Sequence, residues 1–215
     1  MTISTTPAPA RTDALAAPAS TSSRPAPSAR SVRTAGRLVA AGSALWATGL
    51  LLFGVDAETG WQSTAEGLSS LAFQLGLVAL VTVQLRTGAT GTGRLARFFL
   101  HVEHVLLGLA ITSTLAYSFF PEYSDEAWFM ALDAFWPLSM LGMAAIGVRI
   151  AIAGRWKGLA RVWPLGAESW APVVIPVSAL LPGAASYVGA GHLLVGYAAL
   201  GVLLAVRPEL TGARG

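Results

Sequence analysis

Long apolar runs separated by short polar breaks dominate the chain after its first 35 residues. Six runs approach the roughly 20 residues that a helix needs to cross about 30 Å of hydrocarbon. They are 38–55, 67–85, 98–117, 128–153, 166–181 and 189–206. The pattern predicts an all-α fold, a polytopic membrane bundle of six transmembrane helices. The fifth run is the weakest, because Pro172 and Pro176 interrupt it and Pro182 ends it. A proline inside a membrane helix is tolerated where neighbours satisfy the freed carbonyls, so it marks a kink or a packed face.

Residues 1–35 have a different character. They are Ala, Pro, Ser and Thr with scattered Arg and one acid, Asp13. Too few large apolar side chains are present to offset the entropy of ordering, which predicts a disordered arm. The domain reading is therefore an arm over 1–35, a transmembrane domain over 36–207 and a short tail over 208–215. The arm lacks the features of a cleaved secretory signal or a twin-arginine pair.

Charge fixes an expected orientation. Of the 14 basic residues, five precede the first run, three lie between the second and third, four sit at or after the end of the fourth, and two follow the sixth. Six crossings put all of them on one side. The opposite loops hold Asp56, Glu58, Glu66, Glu122, Asp125 and Glu126 with no basic residue. The positive-inside bias then places both termini in the cytoplasm. The Arg-rich, Ala- and Gly-rich composition fits a bacterial plasma membrane.

Composition agrees with a lipid solvent. Only 12% of residues are charged, against roughly 25% in soluble domains, and the mean hydropathy is +0.61. The pI near 9.8 does not indicate nucleic acid, because the basic residues are dispersed and never interleave with aromatics. No cysteine is present, which removes disulfides, thiolate metal sites and cysteine nucleophiles. Trp61, Trp128, Trp156, Trp163 and Trp170 fall near predicted helix ends, as interfacial anchors would. Gly42, Gly49, Gly108, Gly142, Gly147 and Gly196 are expected at close helix packings.

Ionisable residues inside the apolar runs are the functional candidates, since charges in lipid face a bundle interior or a water-filled cavity. Depth counted from the run boundaries gives two groups. The inner one is His101, Glu103, His104 and Glu168; the outer one is Asp133 and His192. Thr114 and Tyr117 continue a polar stripe on the Glu103 face. The leading reading is a path for protons, a cation or a small solute, with histidine titrating near neutrality.

Two other readings are carried. A membrane-embedded metal enzyme would use His101 and His104, which share a helix face, with Glu168 as a third zinc ligand. Glu103 lies about 200° around the helix from His101, so it cannot join them, and no HExxH pattern occurs. A non-catalytic accessory subunit would use these groups as structure, for example an Asp133–His192 pair joining two helices. No cofactor is called for: axial haem ligation needs two ligands at one depth on facing helices. Ser69, Ser139 and Ser178 lack a catalytic spacing, and the glycines at 88–93 lack a phosphate loop's lysine. The runs 132–137 and 163–170 look like motifs without an attachable function.

Short matches between the halves also allow a 3+3 inverted repeat, a recurring transporter architecture. His104 to Ala110 parallels His192 to Ala198, Trp61 to Glu66 parallels Trp163 to Glu168, and Gly49 to Val55 parallels Gly142 to Val148. Expected partners are the lipid bilayer and a small solute or cation; oligomeric state and substrate are not written in the sequence.

Overall fold

The computed structural model describes residues 27–54 and 60–215. Among these the fold is helical throughout, and five helices are long and apolar enough to cross a membrane: Ala29–Phe53, Trp61–Thr87, Arg94–Phe119, Ala127–Ala153 and Pro182–Val206. The first three are α1, α2 and α3. The fourth divides at Ala134 into α4 (Ala127–Asp133) and α5 (Phe135–Ala153). Between it and the last lie α6 (Leu159–Ala167) and α7 (Trp170–Leu180). The last comprises α8 (Ala185–His192), a π-helical turn over Leu193–Ala198, and α9 (Ala199–Val206).

α1 starts at Ala29, capped by the Ser28 hydroxyl accepting from the Ser31 amide. Residues 29–35 therefore belong to the bundle and not to the expected arm. Their arginines conceal an amphipathic helix: Val32, Ala35, Gly36 and Val39 face inward while Arg33 and Arg37 face out. Residues 1–26, with the rest of that arm, and the loop acids Asp56 and Glu58 lie outside the described residues.

The missing amide of proline explains both divisions. Pro137 cannot bond the carbonyl of Asp133, and Pro172 cannot bond that of Glu168; each ring also crowds that carbonyl. The chain accordingly breaks beside both acids. After the second break, helical bonding resumes when Val173 donates to the Ser169 carbonyl at 3.2 Å. The fifth predicted run is thus two short helices, beginning seven residues earlier than its apolar stretch.

One end of the bundle is tied together by hydrogen bonds. The Ala29 amide donates to Arg214 and the Arg214 amide to Pro27, at 2.6 and 3.1 Å. The Lys157 amide donates to Leu210 at 2.9 Å. The buried Trp156 indole donates to the Thr87 hydroxyl at 2.9 Å. The ends of α2 and α5, the start of α1 and the segment after α9 therefore share this arginine-rich end. Gly88 and Gly154, at φ 62° and 61°, close α2 and α5 there in the left-handed region, which suits a residue without Cβ. Trp156 is core here and not the interfacial anchor its position implied.

The solvent logic is inverted relative to a soluble bundle. Leu38, Leu45, Leu75, Leu141 and Val202 are exposed and Leu52 is 69% exposed, whereas Gln74, Gln84, Glu103, Ser139 and Glu168 are buried. The core is still mostly apolar, with these polar groups set into it, and an apolar exterior of this extent suits helices long enough to cross a membrane. α1 is the hub, packed on α2, the π turn, α8 and α9. Close approach needs glycine at two crossings. A Cβ on Gly201 would lie 2.5 Å from the Gly36 carbonyl oxygen, and one on Gly76 3.0 Å from that of Leu38. Gly42, Gly49, Gly142, Gly147 and Gly196 are similarly enclosed, but Gly108 faces open space and is not a packing glycine.

Candidate functional site

Three levels of side chains stack along the bundle axis. At the end opposite the arginines is a cavity of about 500 Å³, within the size range of small-molecule sites. The start of α2 contributes Ser63, Glu66 and Ser70, the end of α3 contributes Thr114, Tyr117 and Ser118, and Asp133 enters from the α4–α5 break. Trp46, Trp136 and Trp170 also line it, and among the described residues no Lys, Arg or His does. Glu66 is held by the Trp46 indole, which donates to its Oε1 at 2.8 Å. Asp133 accepts from the Ser113 hydroxyl at 3.3 Å.

Those indoles form part of an aromatic layer. Trp46 stacks on Phe73 with ring centroids 4.9 Å apart and lies 5.6 and 5.4 Å from Trp136 and Trp170. Phe73 in turn meets Tyr197 edge-on at 5.0 Å. Trp170 therefore sits inside the bundle rather than at a headgroup layer. Trp61 and Trp128, by contrast, are 70% and 55% exposed.

Beyond this layer lies a buried polar group. Glu103, Glu168 and Tyr197 each stand nine residues from the arginine-end terminus of their helix, about 14 Å at 1.5 Å per residue. The two carboxyls lie against the same helix, α5, Glu103 at Gly142 and Glu168 at Gly147. Glu103 accepts from Ser139 Oγ at 2.5 Å, and Glu168 Oε1 from Gln84 Nε2 at 2.5 Å. Glu168 Oε2 and the Tyr197 hydroxyl are buried without a partner. Gly142 gives the Glu103 carboxyl its space, since a Cβ there would collide with it, and a Cβ on Gly147 would lie 3.2 Å from Glu168 Oε2.

Two irregular backbones meet beside this group. The α6–α7 break carries Glu168 and Ser169. Against it lies the π turn, with Gly196 so close that a Cβ would be 3.0 Å from Ala167 Cα. The Trp163 indole donates to the carbonyls of Val195 and Gly196, at 3.2 and 3.1 Å, taking up acceptors that π geometry leaves displaced.

The expected groups are redistributed by these breaks. Glu103 and Glu168 both turn inward against α5, but His101 is exposed on the far side of α3. His104 is half-buried, bonded to the Leu100 carbonyl at 2.7 Å and the Thr82 hydroxyl at 3.1 Å. The Asp133–His192 pair is not formed. His192 faces Ser169, Nε2 to Oγ 3.3 Å, and lines a separate cavity of about 330 Å³ with Trp163 and Gly196. Helix starts explain the difference: the last helix begins at Ala185 and not at 189, so His192 lies deeper than the outer level. Among the described residues, no three His, Asp or Glu side chains converge to hold a metal ion. The set His101, His104 and Glu168 is therefore not assembled.

Sequence reasoning passed over Gln74, Gln84 and Tyr197. An amide inside an apolar run carries the same signal as an acid there, and both glutamines lie within the second run. No family model, curated protein or solved structure matches the chain, so the geometry alone bears on function.

Proposed function

We propose that the chain is a six-crossing protein of a bacterial plasma membrane, with both termini cytoplasmic, that couples passage of a small solute to proton movement. The observation that carries this reading is the unpartnered, buried Glu168 oxygen at a helix break, lying beneath a solute-sized cavity. Discontinuous helices with polar groups near mid-bundle are the recurring way membrane transporters build a site, and buried intramembrane carboxyls serve as proton relays. Glu103 and Glu168 share the interior as the proton-binding pair, Tyr197 stands beside them, and the aromatic layer separates them from the cavity.

The shared arginine-rich end supports the sixth crossing: α5 finishes there and α9 returns there, which leaves α6 and α7 to carry the chain to the opposite end. Their 22-residue extent is about 33 Å at 1.5 Å per residue, enough for one broken crossing. The internal matches fit a three-plus-three inverted ancestry in order. Their local structures have diverged, since Trp61 to Glu66 opens an unbroken helix while Trp163 to Glu168 ends a short one.

The test is flux in liposomes containing the full chain and a pH-sensitive dye, with a panel of small cationic, neutral and anionic solutes added outside. At least one solute is expected to drive a saturable change in internal pH, and Glu168→Gln, which keeps shape but cannot exchange the proton, to abolish it. Unchanged coupled flux in Glu168→Gln, or no solute-driven change with any class, rejects the reading.

A further inference from the structure

The charge and wall chemistry of the outer cavity define what it takes. Glu66 and Asp133 both line it, and among the described residues no Lys, Arg or His does. Each carboxyl is oriented by a neutral donor, the Trp46 indole or the Ser113 hydroxyl, so neither is neutralised by a cationic side chain. Trp46, Trp136 and Trp170 supply aromatic surface beside them, and the Trp170 indole nitrogen is buried without a partner. Exposed Glu122, Asp125 and Glu126 lie at the same end, in the segment between α3 and α4.

We propose that this cavity binds an organic cation, a quaternary or protonated amine, held between the Glu66 and Asp133 carboxylates and the indoles of Trp136 and Trp170 that line it. A weakly hydrated ammonium gains from the aromatic quadrupole, and carboxylates without a protein counter-charge supply the opposite sign. A hydrated metal ion fits poorly, because calcium or magnesium asks for six or more oxygens in a compact shell and indoles offer none. An anion meets two carboxylates and no cation. The acidic segment between α3 and α4 raises the local concentration of cations at the mouth. The volume of about 500 Å³ admits an amine carrying several carbons. The inference names the solute class of the proposed transporter and to that extent rests on that reading.

Calorimetric titration of the full chain in detergent tests it with matched probes: choline, tetraethylammonium, and 3,3-dimethylbutan-1-ol, the uncharged isostere of choline. Saturable binding of at least one cation is expected, with the neutral alcohol weaker than choline if choline is the ligand. Asp133→Asn and Glu66→Gln should each weaken the cation by about tenfold or more, as loss of a charged partner does. Asp133→Glu should restore most of it, which separates charge from folding. Glu168→Gln should stop coupled flux, and Gly108→Ala, on an open helix face, should leave cation binding intact. Cation binding that depends on Asp133, without any coupled flux, would uphold the site and refute transport. Coupled flux of neutral or anionic solutes, with neither cation bound, would refute the site and leave transport standing. Equal binding of choline and its alcohol, or cation binding indifferent to both acids, also overturns the inference.

Discussion

α1 and the α6–α7 segment both run through the bundle, and they are built on opposite principles. α1 is unbroken for 25 residues and meets its neighbours through small side chains, with Gly36 against Gly201 and Gly42 against the backbone of Ala72 and Phe73. Every interior backbone group of such a helix is satisfied within it, so close packing adds contacts at no polar cost. α6–α7 gives up that regularity at Glu168 and Ser169, opposite a π turn, and concentrates unpartnered polar atoms there. Irregular backbone at membrane depth is tolerated only where it is buried in protein or lines a cavity. The regular side holds the fold together, and the broken side holds the chemistry.

The sharpest way to break that division is to attack the regular side. Gly201→Leu places side-chain atoms where the Gly36 carbonyl and the Ala40 backbone now sit, both 2.5 Å from a Cβ. Backbone cannot yield as a side-chain tip can, so a loss of about 3 kcal/mol or more is expected, read as a lowered thermal midpoint in detergent. A midpoint shift no larger than that of a lipid-facing Val202→Leu control would mean that α1 and α9 are not packed this way.

Pro172→Ala acts on the broken side with a smaller energetic and larger functional effect. It returns the amide that the Glu168 carbonyl lacks, worth about 1 kcal/mol, and draws α6 and α7 towards one continuous helix. Stability should hold or rise, while coupled flux falls by about tenfold because the Glu168 carboxyl leaves Gln84. Flux at the wild-type level together with raised stability would show the break to be incidental.

The smallest effect is expected at Gly108, the glycine that faces open space. Gly108→Ala should stabilise by up to about 1 kcal/mol through helix propensity and leave flux unchanged. Gly142→Ala, enclosed against Glu103, should instead displace the Glu103 carboxyl and lower flux. Identical behaviour of the two variants would remove Glu103 from the site.

By itself the sequence determined which stretches form helices long and apolar enough to cross a membrane, and the gross path. Apolar run length set the helices, and the one-sided placement of arginine matched the hydrogen-bonded end where Ala29, Lys157, Leu210 and Arg214 meet. It also singled out Glu103 and Glu168, because an acid in an apolar run has few places to go. Depth was what only the tertiary structure decided. Helices begin where capping and packing allow and not where hydropathy crosses a threshold. Starting at Leu159 and Ala185, the last two helical segments carry Glu168 and His192 further from their ends than run boundaries implied. The partners of each polar atom were likewise beyond a one-dimensional reading. Whether Trp170 meets lipid headgroups or Trp46, and whether Glu168 meets a histidine or Gln84, depends on rotations and offsets between helices. Those are set by glycine contacts and proline breaks acting together.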